Sequence, residues 1–305
     1  MRGGIYVIFF VLFLTATTLG QVVVPTPTPT PRPGTRAAVT NQIGADSAAY
    51  KRLQSMESMI PKESAKNHPL LDRKTGIYRT PNKEETGVLA VSEPMLLKYT
   101  AFLSSQNTGI VKLSAESSCI TSADVVAASE KCVNLQMPGG GAAYSFRTQS
   151  YRLPRLADII LLDGIFKTGG VFQQVITVDI GDVPIEEITL ESKGMQYLVN
   201  MVPVSDSNEF KRFEDEIVKG IEADGFIYRK GQPSKQNSTF LLRSVAYRGK
   251  YLRTVEGLEY NELDFDKRRD VIVAFRVIDK DAAGNLTIIW KSLKNVESPK
   301  LKVIQ

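Results

Sequence analysis

Apolar positions follow two periods along this chain. From residue 143 onward the pattern is of strand length, apolar or alternating, over 144–149, 158–166, 171–180, 188–191, 195–202, 239–247, 270–278 and 286–292. The links 167–170, 192–194 and 279–285 are short enough for hairpins, so the strands are predicted to pair mostly antiparallel. One stretch breaks the pattern with helical spacing: Phe210, Phe213, Ile217 and Ile221 make an apolar stripe over 207–223. Asp206 and Glu209 form a capping pair at its start, and Gly225 is its stop. Upstream, Ala49, Leu53, Met56 and Met59 predict a helix capped by Asp46 and ended by Pro61. A second helix starts at Pro94 behind Ser92, with Leu96, Leu97, Tyr99, Phe102 and Leu103 on its apolar face, and a strand over 110–113 follows the turn Thr108-Gly109. The fold class expected is α+β, predominantly antiparallel β as a sandwich or a curved sheet, with one packed amphipathic helix and a small helical N-terminal region.

The first residues follow a different rule. Arg2 precedes an unbroken apolar run, residues 5–14 (IYVIFFVLFL), and small polar residues lead out to Thr18-Leu19-Gly20. A positive start, an apolar stretch and a small-residue exit define a secretory signal peptide, here 1–20. The run falls short of the ~20 apolar residues that a membrane span needs; a retained anchor is the competing reading. Residues 21–36 (QVVVPTPTPTPRPGTR) alternate Thr and Pro, which removes backbone donors and holds the chain near polyproline II. Such a tract is a semi-rigid spacer. The remaining divisions expected are a small mixed α/β region over 37–137 and a β-rich domain over 138–305, with Pro138-Gly139-Gly140-Gly141 as the hinge. The protein is expected outside the cytoplasm, periplasmic or extracellular, tethered to the membrane only if the signal is retained.

Export changes how the composition reads. The 305 residues carry a formal charge of +5 and contain 1 His and 2 Cys. In an oxidising compartment Cys119 and Cys132 are expected to pair, and closing a loop of that size stabilises by about 3 kcal/mol in the chain-entropy model. A His-rich metal site and a Cys-based zinc finger cannot be built from so few ligands, and His68 stands alone in a polar loop, so no metal or cofactor is expected. Lys74-Thr75-Gly76 and Lys167-Thr168-Gly169 spell an element of serine β-lactamases, but the Ser-x-x-Lys that supplies their nucleophile does not occur in the chain. The segment 279–285 begins like a calcium loop, yet Ala283 and Trp290 stand where the fifth and twelfth ligands belong. Asp163, Asp179, Asp182, Glu186 and Glu187 fall at strand ends or turns, where a carboxylate-dependent hydrolase would need a facing pair.

The feature with most chemistry is basic and aromatic. Arg147, Arg152, Arg155, Arg243, Arg248 and Arg253 lie close to Tyr144, Tyr151 and Tyr247. Guanidinium planes and rings on one face would suit an anion; the competing arrangement puts the rings in the core and the arginines in water. Residues 144–152 (YSFRTQSYR) also resemble 240–248 (FLLRSVAYR), each followed by an apolar hairpin that starts at Asp158 or Asp270, which would fit a duplicated unit. The function expected is that of an exported envelope protein acting as a non-catalytic binding or structural module. Its partner would be an anionic envelope polymer or another envelope protein, not nucleic acid. The alternative is a carboxylate-dependent hydrolase of cell-wall polysaccharide.

Overall fold

A computed structural model describes Tyr78 and residues 81–116, 138–255 and 258–302. The predicted signal peptide, spacer and first helix, together with His68, Cys119 and Cys132, lie outside the described residues. Two five-stranded antiparallel sheets carry the architecture. Sheet 1 has the order β1-β14-β13-β10-β6, built from β1 (Thr108–Leu113), β6 (Gln173–Asp179), β10 (Thr239–Ala246), β13 (Arg269–Lys280) and β14 (Leu286–Glu297). Sheet 2 has the order β3-β2-β4-β5-β9, from β2 (Ala143–Ser145), β3 (Ser150–Tyr151), β4 (Ile159–Leu162), β5 (Ile165–Lys167) and β9 (Gly231–Pro233). Two small hairpins, β7 (Ile221–Ala223) with β8 (Phe226–Tyr228) and β11 (Leu252–Val255) with β12 (Leu258–Asn261), complete the strands. Neither large sheet closes into a barrel.

The alternation of side chains along the central strands explains the layers. On β13, Val271, Val273, Phe275 and Val277 face sheet 2, where they meet Phe146, Ile159, Leu161 and Phe166. Ile272 and Ala274 face the other way, onto the helices. Because both faces are covered, β10 is buried along its whole length. This is why its apolar residues Phe240, Leu241 and Leu242 run on without alternation, and why Arg243 and Ser244 are buried with them. Phe275 sits at the centre, with ring centroids 5.7, 5.1 and 5.1 Å from Phe146, Phe166 and Phe240.

The helices are α1 (Lys83–Gly87), α2 (Glu93–Lys98), α3 (Thr100–Leu103), α4 (Gln196–Asn200) and α5 (Ser207–Lys219). The Asp206 carboxylate accepts from the amides of Asn208 and Glu209, as the predicted cap requires. Glu209, however, reaches back to the amide of Ser205 and not to that of Asp206. Phe213 and Ile217 bury the helix stripe. Helix α5 ends at Gly220, with φ 93°, and not at the predicted Gly225, which instead turns β7 into β8.

Four further expectations are corrected. The predicted strand 158–166 is a hairpin, β4 to β5, turning at Asp163 (φ 52°) and Gly164 (φ 72°). Asp-Gly is a strong two-residue hairpin signal, and the apolar residues on both sides masked it. Residues 195–202 contain helix α4, and 188–191 are irregular, so no hairpin forms at 192–194. Likewise 167–170 joins strands of different sheets. Finally, Pro138–Gly141 is no hinge. It is a buried turn, and β1 before it pairs with β14, so the residues on both sides share one sheet. A Cβ added at Gly139 (φ +68°) would lie 2.4 Å from the Arg152 carbonyl oxygen. Gly139→Ala is therefore expected to destabilise by about 2–4 kcal/mol, a left-handed penalty plus overpacking. Thermal melts compared with those of Gly164→Ala check this, since Gly164 has an open surrounding.

Candidate anion-binding surface

The predicted arginines do not form one exposed platform. Arg147 has 0% side-chain exposure. Its Nε donates to Asp158 Oδ1 at 2.8 Å, its Nη1 to Asp266 Oδ2 at 2.6 Å and to the Lys267 carbonyl at 2.8 Å, and its Nη2 to the Leu156 carbonyl at 2.8 Å. Asp158 is further held by Gln173 Nε2 (2.7 Å), Ser145 Oγ (3.0 Å) and Ser244 Oγ (2.7 Å), so this cluster joins the two sheets. Asp266 also accepts from Arg268 at 2.7 Å. Burial opposes both charges, but the Asp158 and Asp266 carboxylates outweigh it and raise the Arg147 pKa above its usual value. In the same way Arg147 and Arg268 overcome burial and hold Asp266 below the usual carboxylate range.

Arg243 repeats the device on the other face of sheet 1. Its fork binds Asp270 at 3.0 and 2.8 Å, while Nη1 donates to the carbonyls of Leu198 (2.7 Å) and Met201 (2.6 Å) at the end of α4. The two similar segments thus each place an Arg on the Asp that opens the next hairpin. Their registers differ: Tyr144 faces Ile159, next to Asp158, whereas Phe240 faces Phe275, well beyond Asp270. What recurs is an Arg–Asp clamp and not a superposable unit.

A third group surrounds Glu262, which is fully buried. Arg155 and the Tyr78 hydroxyl donate to it, and Arg253 lies at 3.5 Å. Arg152 spans from the Tyr78 carbonyl to that of Phe265. The predicted rings are core residues: Tyr144, Tyr151 and Tyr247 are at most 5% exposed, and burial raises all three hydroxyl pKa values. Tyr151 donates to the Lys112 carbonyl and Tyr247 to Gln174. Arg147, Arg152, Arg243 and the tyrosines therefore stabilise the interior, and they do not meet an external anion.

Arg248 is different. It sits at the end of sheet 1 where β10 finishes, β13 begins and β14 finishes. Its backbone pairs with Pro299 and Leu301, while Lys302 donates to the Ser205 carbonyl. Arg269 lies opposite Glu297 and donates to Asn295. The Arg268 side chain bonds the carbonyls of Tyr247, Val171 and Phe172, which ties the segment before β13 to the end of β10 and the start of β6. This end consequently gathers six cations, Arg248, Lys250, Lys267, Arg269, Lys300 and Lys302, all exposed or half-buried. Three carboxylates neighbour these cations. Glu297 pairs with Arg248, Asp206 caps α5, and Asp264 accepts from Asn261. Six cations against three carboxylates leave this surface with a positive excess, and five of the six cations were not singled out from sequence. The signal available was the Lys-x-Lys pattern in Pro299-Lys300-Leu301-Lys302, which becomes meaningful only when β14 returns it to Arg248.

Three of the acids considered for hydrolysis have local roles. Asp179 pairs with Lys235 at 3.3 Å and Asp182 with Arg276 at 2.5 Å, while Asp163 sits in the β4–β5 turn. Asp281 and Asn285 close their own turn, and Lys112 pairs with Asp281 at 3.1 Å. Thr168 of the second Lys-Thr-Gly ties to the Lys230 carbonyl. Among the described residues no group of His, Cys, Asp and Glu has metal-holding geometry, and no helix is long and apolar enough to cross a membrane. No family model, curated protein or solved structure matches this chain.

Proposed function

We propose that the chain is an exported, non-catalytic binding module, held away from its anchorage by the Thr-Pro spacer, that engages phosphate-bearing anionic material of the cell envelope through the basic end of sheet 1. The observation that carries this reading is the gathering of six cations at one end of one sheet, in excess over the three adjacent carboxylates Glu297, Asp206 and Asp264. The interior carboxylates support the non-catalytic part. Asp158, Asp266, Asp270 and Glu262 are buried and each holds a guanidinium, so they serve as internal partners.

Soluble polyphosphate is a suitable probe for the shared chemistry. Binding is expected to weaken steeply as salt rises, because exposed charges are screened within about 8 Å at physiological ionic strength. The triple variant Lys250→Ala/Lys300→Ala/Lys302→Ala is expected to bind about ten- to a hundredfold more weakly, at the usual worth of a cation near an anionic surface. These side chains are exposed and the fold is expected to be unaffected, which a thermal melt checks. Salt-independent binding, or a triple variant equal to the parent, would overturn the proposal.

A further inference from the structure

The basic end is not uniformly polar. At its rim the chain reads Arg248-Gly249-Lys250-Tyr251-Leu252-Arg253. Tyr251 is 37% exposed and Leu252 52%. Two adjacent apolar side chains in water, immediately beside a lysine, need a reason.

The loop is held in place. The Tyr251 amide donates to Asn261 Oδ1 at 2.8 Å, and its carbonyl accepts from the Glu262 amide at 2.9 Å. Leu252 pairs in register with Asn261 as the first residue of β11. The Tyr251 ring meets Phe172 edge-on, with centroids 6.0 Å apart. Phe172 in turn packs on the Tyr247 and Leu301 cluster. The apolar tip is therefore prepositioned on the core, and its exposure is not the result of a loose tail. Gly249 has nothing within 4 Å of a notional Cβ, so the loop projects clear of its neighbours there.

A soluble polymer would use the cations and leave Tyr251 and Leu252 wet. A bilayer surface uses both. Its anionic headgroups attract Lys and Arg, and the boundary beneath them accepts an aromatic ring and an aliphatic side chain. Lysines beside such a tip can lay their stems along the boundary with the ammonium at headgroup level. From this match of charge and apolarity we infer that the partner of the basic end is a bilayer rich in anionic phospholipid, with Tyr251 and Leu252 seated in the interface and Lys250 and Lys300 on the surrounding headgroups. This inference rests on the proposed anion-binding reading and names the source of the phosphate.

The test uses the full chain with three probes: vesicles of phosphatidylcholine alone, vesicles with about a third phosphatidylglycerol, and soluble polyphosphate. The apolar run at residues 5–14 can itself partition into lipid, so binding to neutral vesicles is the baseline and the excess on anionic vesicles reads the site. The variant Tyr251→Ser/Leu252→Ser removes apolar area and leaves the charge unchanged. It is expected to lose about tenfold of the excess vesicle binding, with polyphosphate affinity within about twofold of the parent. As a second measurement, a Leu252→Trp variant on anionic vesicles with brominated acyl chains is expected to be quenched, whereas the parent, whose single Trp290 is 2% exposed, is not. Polyphosphate binding with no excess on anionic vesicles overturns the inference and leaves the anion-binding reading standing. An excess that survives the double variant, with no quenching of Leu252→Trp, also overturns it. Failure to bind either polyphosphate or anionic vesicles overturns both.

Discussion

Arg147→Ala is expected to lower the unfolding free energy by about 3–5 kcal/mol, the usual cost of removing one member of a buried ion pair. The loss does not come from attraction alone. Without the guanidinium, Asp158 and Asp266 lose a buried partner, and the carbonyls of Leu156 and Lys267 lose a donor. Asp158 retains Ser145, Gln173 and Ser244, whereas Asp266 retains Arg268. Arg147→Lys is also expected to be costly, because one ammonium cannot reproduce a planar fork that meets two carboxylates and two carbonyls. The chain offers its own probe. Trp290 is the single tryptophan, is 2% exposed, and lies 5.8 Å from the ring of Phe146, the residue before Arg147. Denaturant midpoints followed by its fluorescence give the comparison. A loss below about 1 kcal/mol would mean that the cluster is not holding the two sheets together.

That cluster marks the limit of what could be read from sequence. Strand-length apolar runs identified β6, β10, β13 and β14, because burial on two faces leaves the same mark as strand propensity. The Asp206 cap and the stripe of Phe213 and Ile217 placed α5, since caps and helical spacing are local signals. Helix α4 was misread as a strand for a tertiary reason. Met195 and Leu198 are buried, and the carbonyls at its end are satisfied by Arg243, which comes from a distant strand. Arginine was misread for the same reason. Nothing near Arg147 in sequence announces Asp266, 119 residues away, nor does Arg248 announce Lys300. Residue type gave the chemistry of a guanidinium correctly. Whether it meets a carboxylate inside or an anion outside depends on strand pairing, which brings partners together from opposite ends of the chain.

Arg243→Ala is expected to destabilise by about 3 kcal/mol, somewhat less than Arg147→Ala, and to act on a particular part of the fold. The difference lies in what remains. Asp270 loses a two-pronged partner but keeps Lys294 Nζ at 3.3 Å, which is partly exposed and can compensate. The larger effect falls on α4, whose last carbonyls at Leu198, Val199 and Met201 all accept from Arg243 Nη1. A helix of five residues cannot sustain itself by propensity, so it depends on that donor and on the burial of Leu198. Amide exchange at 196–200 is therefore expected to accelerate more than exchange in β13, which keeps both of its neighbouring strands. The double variant Arg243→Ala/Asp270→Ala separates the two roles. If the ion pair dominates, removing Asp270 as well relieves the orphaned charge and recovers part of the stability, with a coupling of about 1–3 kcal/mol. If capping of α4 dominates, the double variant stays as unstable as the single one and exchange at 196–200 stays fast. An Arg243→Ala variant that loses less than about 1 kcal/mol with unchanged exchange in α4 would refute both roles, and with them the idea that the recurring Arg–Asp clamp is what ties each layer of this fold to its central sheet.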